Sequence, residues 1–169
     1  LLERAGGLTG APGLRVIDAS GRVLPEVDEC LAVAGAYRLA IGTGHISPRE
    51  SMAVAEAAKR HGIDEVFFQH PDSNSVAASR DEIRELARLG AVIELCALGL
   101  LPGMQRIKPE WMIEVMAEVG ARKCVITSDA FFDWAPPSAE TLRMTALLLS
   151  QARAGVTVER ISRDRPVRF

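Results

Sequence analysis

Ile41-Gly42-Thr43-Gly44-His45-Ile46-Ser47-Pro48-Arg49-Glu50 is the stretch on which the fold turns, because it runs from a strand through a tight turn straight into a helix. Ser47 is a natural N-cap, Pro48 suits the first helical position, and Glu50 completes a capping box. Upstream, residues 37–41 read as a strand. Downstream, Met52, Ala55 and Ala58 carry the helix to Gly62, which suits the left-handed closing conformation.

The same unit recurs along the chain. Residues 66–70 read as a strand, Ser79 and Glu82 form a second capping box, and Ile83, Leu86 and Leu89 share one helical face that Gly90 ends. Residues 91–95 are the next strand, and the loop 98–108 carries Gly99, Pro102 and Gly103. Pro109 opens a helix with Met112, Val115, Met116 and Val119 inward and Gly120 closing it. Residues 124–129 form the last strand; Ser138 caps a helix to about Ala154, and Thr157 starts a short terminal one. At the other end, Leu14-Arg15-Val16-Ile17-Asp18 reads as a strand, and a helix runs from Pro25 to Ala34. The expectation is one α/β domain over 1–169: a leading segment 1–13, strand–helix units over 14–155, and a tail or short helix over 156–169. The tail alternates Arg160, Arg163, Arg165 and Arg168 with Glu159 and Asp164, the pattern of a solvated end rather than a binding patch.

Alternating strands and helices imply a parallel sheet covered by helices, with every strand's C-terminal end on one side. That side carries the chemistry in open and closed α/β sheets alike. The polar residues gather there: Asp18, His45, His70 and Asp129 each close a predicted strand, and Glu94 stands one place before the end of its own. His45 to His70 is 70 − 45 = 25 residues and His70 to Glu94 is 94 − 70 = 24, one unit each, which puts the histidines on adjacent strands. Two imidazoles and the Asp129 carboxylate meeting at one rim would suit a divalent metal, zinc first, with manganese and iron as alternatives. Gly44 and Ser47 in the turn, Glu94, and Ser128 beside Asp129 are the expected substrate-binding groups. The Gly42-Thr43-Gly44 turn and the Ser47 helix start also fit a phosphate or carboxylate, though without a Walker loop or a full dinucleotide fingerprint a tight turn is an equal reading. His61, before Gly62, reads as a cation at a helix C-terminus. The aromatics of Phe131-Phe132-Asp133-Trp134 follow Asp129 and would wall the pocket or make a subunit contact.

Composition narrows the partners. The net charge is −2 and aromatics make up 5% of the 169 residues, which offers neither a field nor a stacking platform for nucleic acid. No uninterrupted apolar run reaches the ~18–20 residues of a membrane span. Cys30, Cys96 and Cys124 are far apart with no paired spacing, which suits a reducing, cytoplasmic setting, with Cys96 and Cys124 as buried small hydrophobes.

In Thr43-Gly44-His45-Ile46-Ser47-Pro48-Arg49-Glu50, Gln69-His70-Pro71, Ile93-Glu94 and Thr127-Ser128-Asp129 the chain resembles the amidohydrolase superfamily of metal-dependent hydrolases on (β/α)8 barrels. The resemblance implies that His45 and His70 are the metal-binding histidines of the fifth and sixth strands and Glu94 lies on the seventh. It also implies that Asp129 binds metal on the eighth strand and takes the proton of the attacking water. It covers residue 14 onward and has no counterpart of that family's first-strand His-x-His pair. The expectation is therefore a partial barrel, its C-terminal portion, that pairs with an N-terminal portion or with another copy. The expected activity is hydrolysis of a C–N or C–O bond in a small molecule. A decarboxylase or lyase would use the same site. A non-catalytic binding or assembly module, and a flavodoxin-like domain holding a phosphorylated ligand at Gly42 to Ser47, are the readings from other classes.

Overall fold

The computed structural model describes residues 14–152. Its strands are β1 (Ile41–Gly42), β2 (Val66–Phe68), β3 (Val92–Cys96) and β4 (Cys124–Thr127), joined as one parallel sheet in the order β1-β2-β3-β4. Its helices are α1 (Pro25–Ala36), α2 (Pro48–Arg60), α3 (Arg80–Arg88), α4 (Pro109–Val119) and α5 (Ser138–Gln151). Spatial order equals chain order, so each helix carries the chain to the next strand along. That is the α/β arrangement of a TIM-barrel segment; in a doubly wound sheet the order reverses.

Side-chain alternation shows how the layers stack. Val66 and Phe68, Ile93 and Leu95, and Cys124 join one buried cluster with Leu31 of α1, Val54 and Ala58 of α2, Ile83 and Leu86 of α3, Met112 and Met116 of α4, and Leu149 of α5. The alternate residues, Phe67, Val92, Glu94, Cys96, Val125 and Thr127, stay outside that cluster and share the opposite face, where Phe67 pairs Val92, Glu94 pairs Val125 and Cys96 pairs Thr127. One layer of helices therefore packs on one face of the sheet. The other face is the one a barrel turns inward.

Both capping boxes form. Ser47 and Ser79 each accept the N–H of the glutamate three residues on, and each glutamate accepts its serine's N–H in return. Elsewhere the chain departs from expectation. Residues 14–18 form no sheet strand: Ile17 makes a single antiparallel bridge to Val23, so the sheet has four strands among the described residues rather than five. The physical reason is Asp18, whose Oδ1 accepts from the N–H groups of Ser20 (2.8 Å) and Arg22 (3.0 Å) and so folds the chain into a turn. The predicted strand 37–41 shrinks to Ile41–Gly42, because Tyr37 still caps α1 and Arg38, at φ 53°, turns the chain out of it. Ser138 is not a cap: Pro137 holds that position, and Thr141 secures the first turn by donating from Oγ1 to Pro136 O at 3.1 Å. The segment 1–13, the helix end at Ala154, the helix from Thr157 and the basic tail lie outside the described residues.

The α2 cap yields a prediction. Burial pushes the Glu50 carboxyl up, but donation by the Ser47 hydroxyl and N–H outweighs it, so the group sits below the ordinary glutamate range. A lowered carboxyl stabilises the fold above its unfolded value and loses that contribution as pH falls through its folded value. Ser47→Ala is expected to cost about 1 kcal/mol in urea denaturation at neutral pH. The gap between wild type and Glu50→Gln is expected to close on acidification; an equal gap at neutral and acid pH would contradict it.

Candidate functional site

Each strand delivers a polar residue to the C-terminal edge of the sheet. β1 ends at Gly42, and the turn through Gly44 (φ 62°) presents His45; His70 stands two places beyond β2, Glu94 lies within β3, and Asp129 stands two places beyond β4. The imidazoles of His45 and His70 stack with ring centroids 4.4 Å apart and planes inclined by 21°. The spacing of one strand–helix unit thus does bring them together. His70 (φ 29°) and Asp129 (φ 50°) are two of the four non-glycine residues with left-handed backbone among those described. Such residues cost roughly 1–3 kcal/mol and persist where the surroundings hold them, a pattern of functional rims.

Beside the stack, buried polar atoms stand without partners. His70 Nδ1, Glu94 Oε2 and Asp72 Oδ1 are buried and make no hydrogen bond. An unpartnered buried polar atom costs about 1–3 kcal/mol, and three of the four among the described residues, Ser51 Oγ of α2 being the other, belong to β3 or to the segment that follows β2. Asp72 was not legible in the sequence. Its side chain is 1% exposed, and its Oδ2 accepts from Nε and Nη2 of Arg106 at 3.2 and 2.9 Å. The pair spans 106 − 72 = 34 residues with no periodicity to betray it; the only signal was an acid two places past His70. Cys96 is buried, as its apolar run implied. Burial first of all pushes its thiol up to about 12, Thr127 pulls the other way, and the negative charges of Glu94, Asp129 and Asp72 add to the rise.

Other expected groups have different roles. The Gly44 N–H donates to Oε1 of Gln69 at 3.0 Å, that of Thr43 to Phe67 O at 3.0 Å, and that of Ser47 to Glu50 Oε2 at 3.0 Å. The Ser47 hydroxyl also donates to Glu50 Oε2, at 2.7 Å. The amides of Thr43, Gly44 and Ser47 are therefore engaged within the protein, which is the tight-turn reading of Gly42 to Ser47. Ser128 accepts the Ala130 N–H at 3.4 Å, within the Asp129 turn. Asp18 belongs to its own turn, outside the sheet. His61 caps α2 as expected, and its Nε2 lies 3.0 Å from Asp28 Oδ1, a bond that above all holds the Asp28 carboxyl below its ordinary value. Phe132 stacks on Trp134 with centroids 4.9 Å apart and meets Phe131 in a tilted pair at 4.0 Å, and Phe131 and Trp134 remain exposed.

In kind, the donors fit a divalent ion: two imidazoles, one with a buried unpartnered nitrogen, and a carboxylate oxygen likewise unpartnered. In number and aim they fall short. Among the described residues no three His, Cys, Asp or Glu side chains stand close enough to hold one ion. Nearly parallel stacked rings send their in-plane lone pairs side by side, so a shared ion requires one ring to turn.

Consecutive parallel β/α units with polar residues on the C-terminal rim define a barrel-type α/β protein. Residues 3–94 match the family described as "Family of unknown function (DUF6282)", and the chain belongs to that family. The matched segment contains His45, His70 and Glu94, while Asp129 lies beyond it. Comparison with curated proteins and with solved structures gives no match.

The thiols check the burial. Cys30 is exposed, whereas desolvation pushes Cys124 as well as Cys96 up to about 12. Ellman's reagent is expected to titrate Cys30 alone in the native chain and all three thiols in guanidinium. A second fast thiol before unfolding would contradict the inner-face assignment of Cys96.

Proposed function

We propose that this chain carries part of the active site of a metal-dependent hydrolase of the amidohydrolase type, acting on a C–N or C–O bond of a small molecule. The observation that carries the reading is the stack of His45 on His70 at 4.4 Å, two nitrogen ligands from neighbouring strands at the rim where α/β proteins do their chemistry. His45 and His70 are the residues that would hold the ion, zinc by preference over manganese or iron. What an ion supplies at such a place is a water pKa lowered to about 7. In this reading Asp129 would join the two histidines as a ligand and would take a proton from that water, and Glu94, with Oε2 unpartnered, would accept a hydrogen bond from the substrate.

Two features bear on the remaining partners. Among the described residues β1 and β4 each pair on one side only, and Tyr37, Leu39, Leu147 and Leu148 are exposed apolar residues on or beside the terminal elements α1, β1 and α5. In this reading further strands, from the same barrel or from another copy, cover those edges and bring the missing ligands. No described helix is long and apolar enough to cross a membrane. The unpaired cysteines accord with a reducing cytoplasm.

The test is metal analysis and calorimetry on the chain and on the His45→Ala/His70→Ala double variant. Stoichiometric zinc that disappears in the double variant is the expected result. Asp129→Asn is then expected to keep the metal and lose about 10²–10⁴-fold in hydrolysis of an amide or ester panel. Zinc binding that is absent, or indifferent to both histidines, sinks the reading and favours a non-catalytic binding module. Carbon dioxide release without hydrolysis would instead mark a decarboxylase.

A further inference from the structure

The end of β1 holds a contact that the hydrolase reading leaves unused. β1 is two residues long, and it is tied to β2 by Ile41 N–H to Glu65 O and Thr43 N–H to Phe67 O, both 3.0 Å. Past Thr43 the backbone leaves the ladder. The Gly44 N–H donates instead to a side chain, Oε1 of Gln69, at 3.0 Å, while the Gln69 N–H returns to Thr43 Oγ1 at 3.4 Å. The Gln69 amide also lies against Gly42: a Cβ there would stand 2.4 Å from Oε1 and 2.8 Å from Cδ of Gln69. Any side chain at position 42 would therefore push the amide away. Gly44 immediately precedes His45, and Gln69 immediately precedes His70. One side chain thus joins the two backbone segments whose next residues are the stacked imidazoles.

We infer that Gln69 is a positioning residue: its side-chain carbonyl holds the Gly44 N–H and so sets how far His45 stands from His70, and Gly42 is bare to admit it. The inference rests on the imidazole pair being the working centre, yet the geometry it fixes can be read without metal or substrate. A merely structural glutamine would change overall stability and leave the ring stack as it is. A positioning one moves the rings, and its effect follows the acceptor atom rather than the bulk of the side chain.

The experiment is NMR on the metal-free 169-residue chain, followed by zinc titration of the same samples. Wild type is expected to show a nuclear Overhauser contact between the ring protons of His45 and His70, and slowed exchange of the Gly44 amide. Gln69→Leu keeps volume and removes the acceptor; it is expected to lose the ring contact and speed Gly44 exchange about tenfold, the equivalent of one hydrogen bond. Gln69→Glu keeps an acceptor and is expected to retain both. Gly42→Ala is expected to reproduce the Gln69→Leu result. The Gly42→Ala/Gln69→Ala double variant is expected to be no worse than Gln69→Ala alone, because the clash is gone. His61, bonded to Asp28 of α1, is the internal control whose ring signals stay put. Zinc affinity is expected to fall about 10- to 100-fold in Gln69→Leu and to hold in Gln69→Glu.

A ring contact that survives in both Gln69→Leu and Gly42→Ala overturns the inference, as does a Gly44 amide that exchanges freely in wild type. If Gln69→Leu does not fold, Gly42→Ala and the wild-type exchange rate decide. Should the rings and the amide behave as expected while wild type binds no zinc, the positioning role stands and the hydrolase reading falls. If wild type and Gln69→Leu bind zinc equally with the stack intact, the hydrolase reading stands and the positioning role falls.

Discussion

Parallel pairing of neighbouring strands is the constraint on which the rest depends. Adjacent strands lie about 4.7–4.9 Å apart, so equivalent positions one β/α unit apart come within side-chain contact. Ile41 faces Val66 and Gly42 faces Phe67, and this register carries His45 and His70 off the sheet side by side. A slip of one residue would turn Phe67 toward the helices and Phe68 toward the open face. The burial of Phe68 among α2 and α3 residues holds the strand in place, and with it the imidazole pair.

The sheet's two faces do different work. The helix face is filled with Ile, Leu, Val, Met and Ala from all five helices and stabilises the fold by removing apolar surface from water. The opposite face carries Phe67, Val92, Cys96 and Val125 with Glu94 and Thr127 among them, and leaves one acceptor, Glu94 Oε2, unsatisfied. Glu94 is the informative case. Selection for stability alone would put a hydrophobe on a central strand between Val92 and Cys96, because a carboxylate oxygen buried without a partner is costly. Its presence there, with left-handed His70 and Asp129 at the same edge, is the pattern of a rim kept for chemistry.

Polar support for that rim comes from long-range pairs. Arg106 reaches back from the loop after β3 to hold Asp72, and Gln69 crosses from β2 to the turn after β1. A buried ion pair of the first kind is costly to break, because removing one partner leaves the other charge uncompensated. The second kind extends a strand pair too short to fix its own end.

Much of the fold was legible because its signals are local. Capping boxes at Ser47 and Ser79, prolines at the starts of α1, α2 and α4, and apolar runs at β2, β3 and β4 specify elements through neighbours within a few residues. Equal spacing then sufficed to pair His45 with His70. The failures were also physical. The strand expected at residues 14–18 yields to a side-chain-to-backbone turn at Asp18, and the strand before His45 shortens because the exit from α1 takes up its first residues. What only the tertiary structure decided is which polar atoms meet across the chain: the ring stack itself, the Asp72–Arg106 pair, the Gln69 bond to Gly44, and the unpartnered Glu94 oxygen. Chain order sets which strand a residue follows, but side-chain direction and partnership depend on packing among segments tens of residues apart, and no local pattern encodes that.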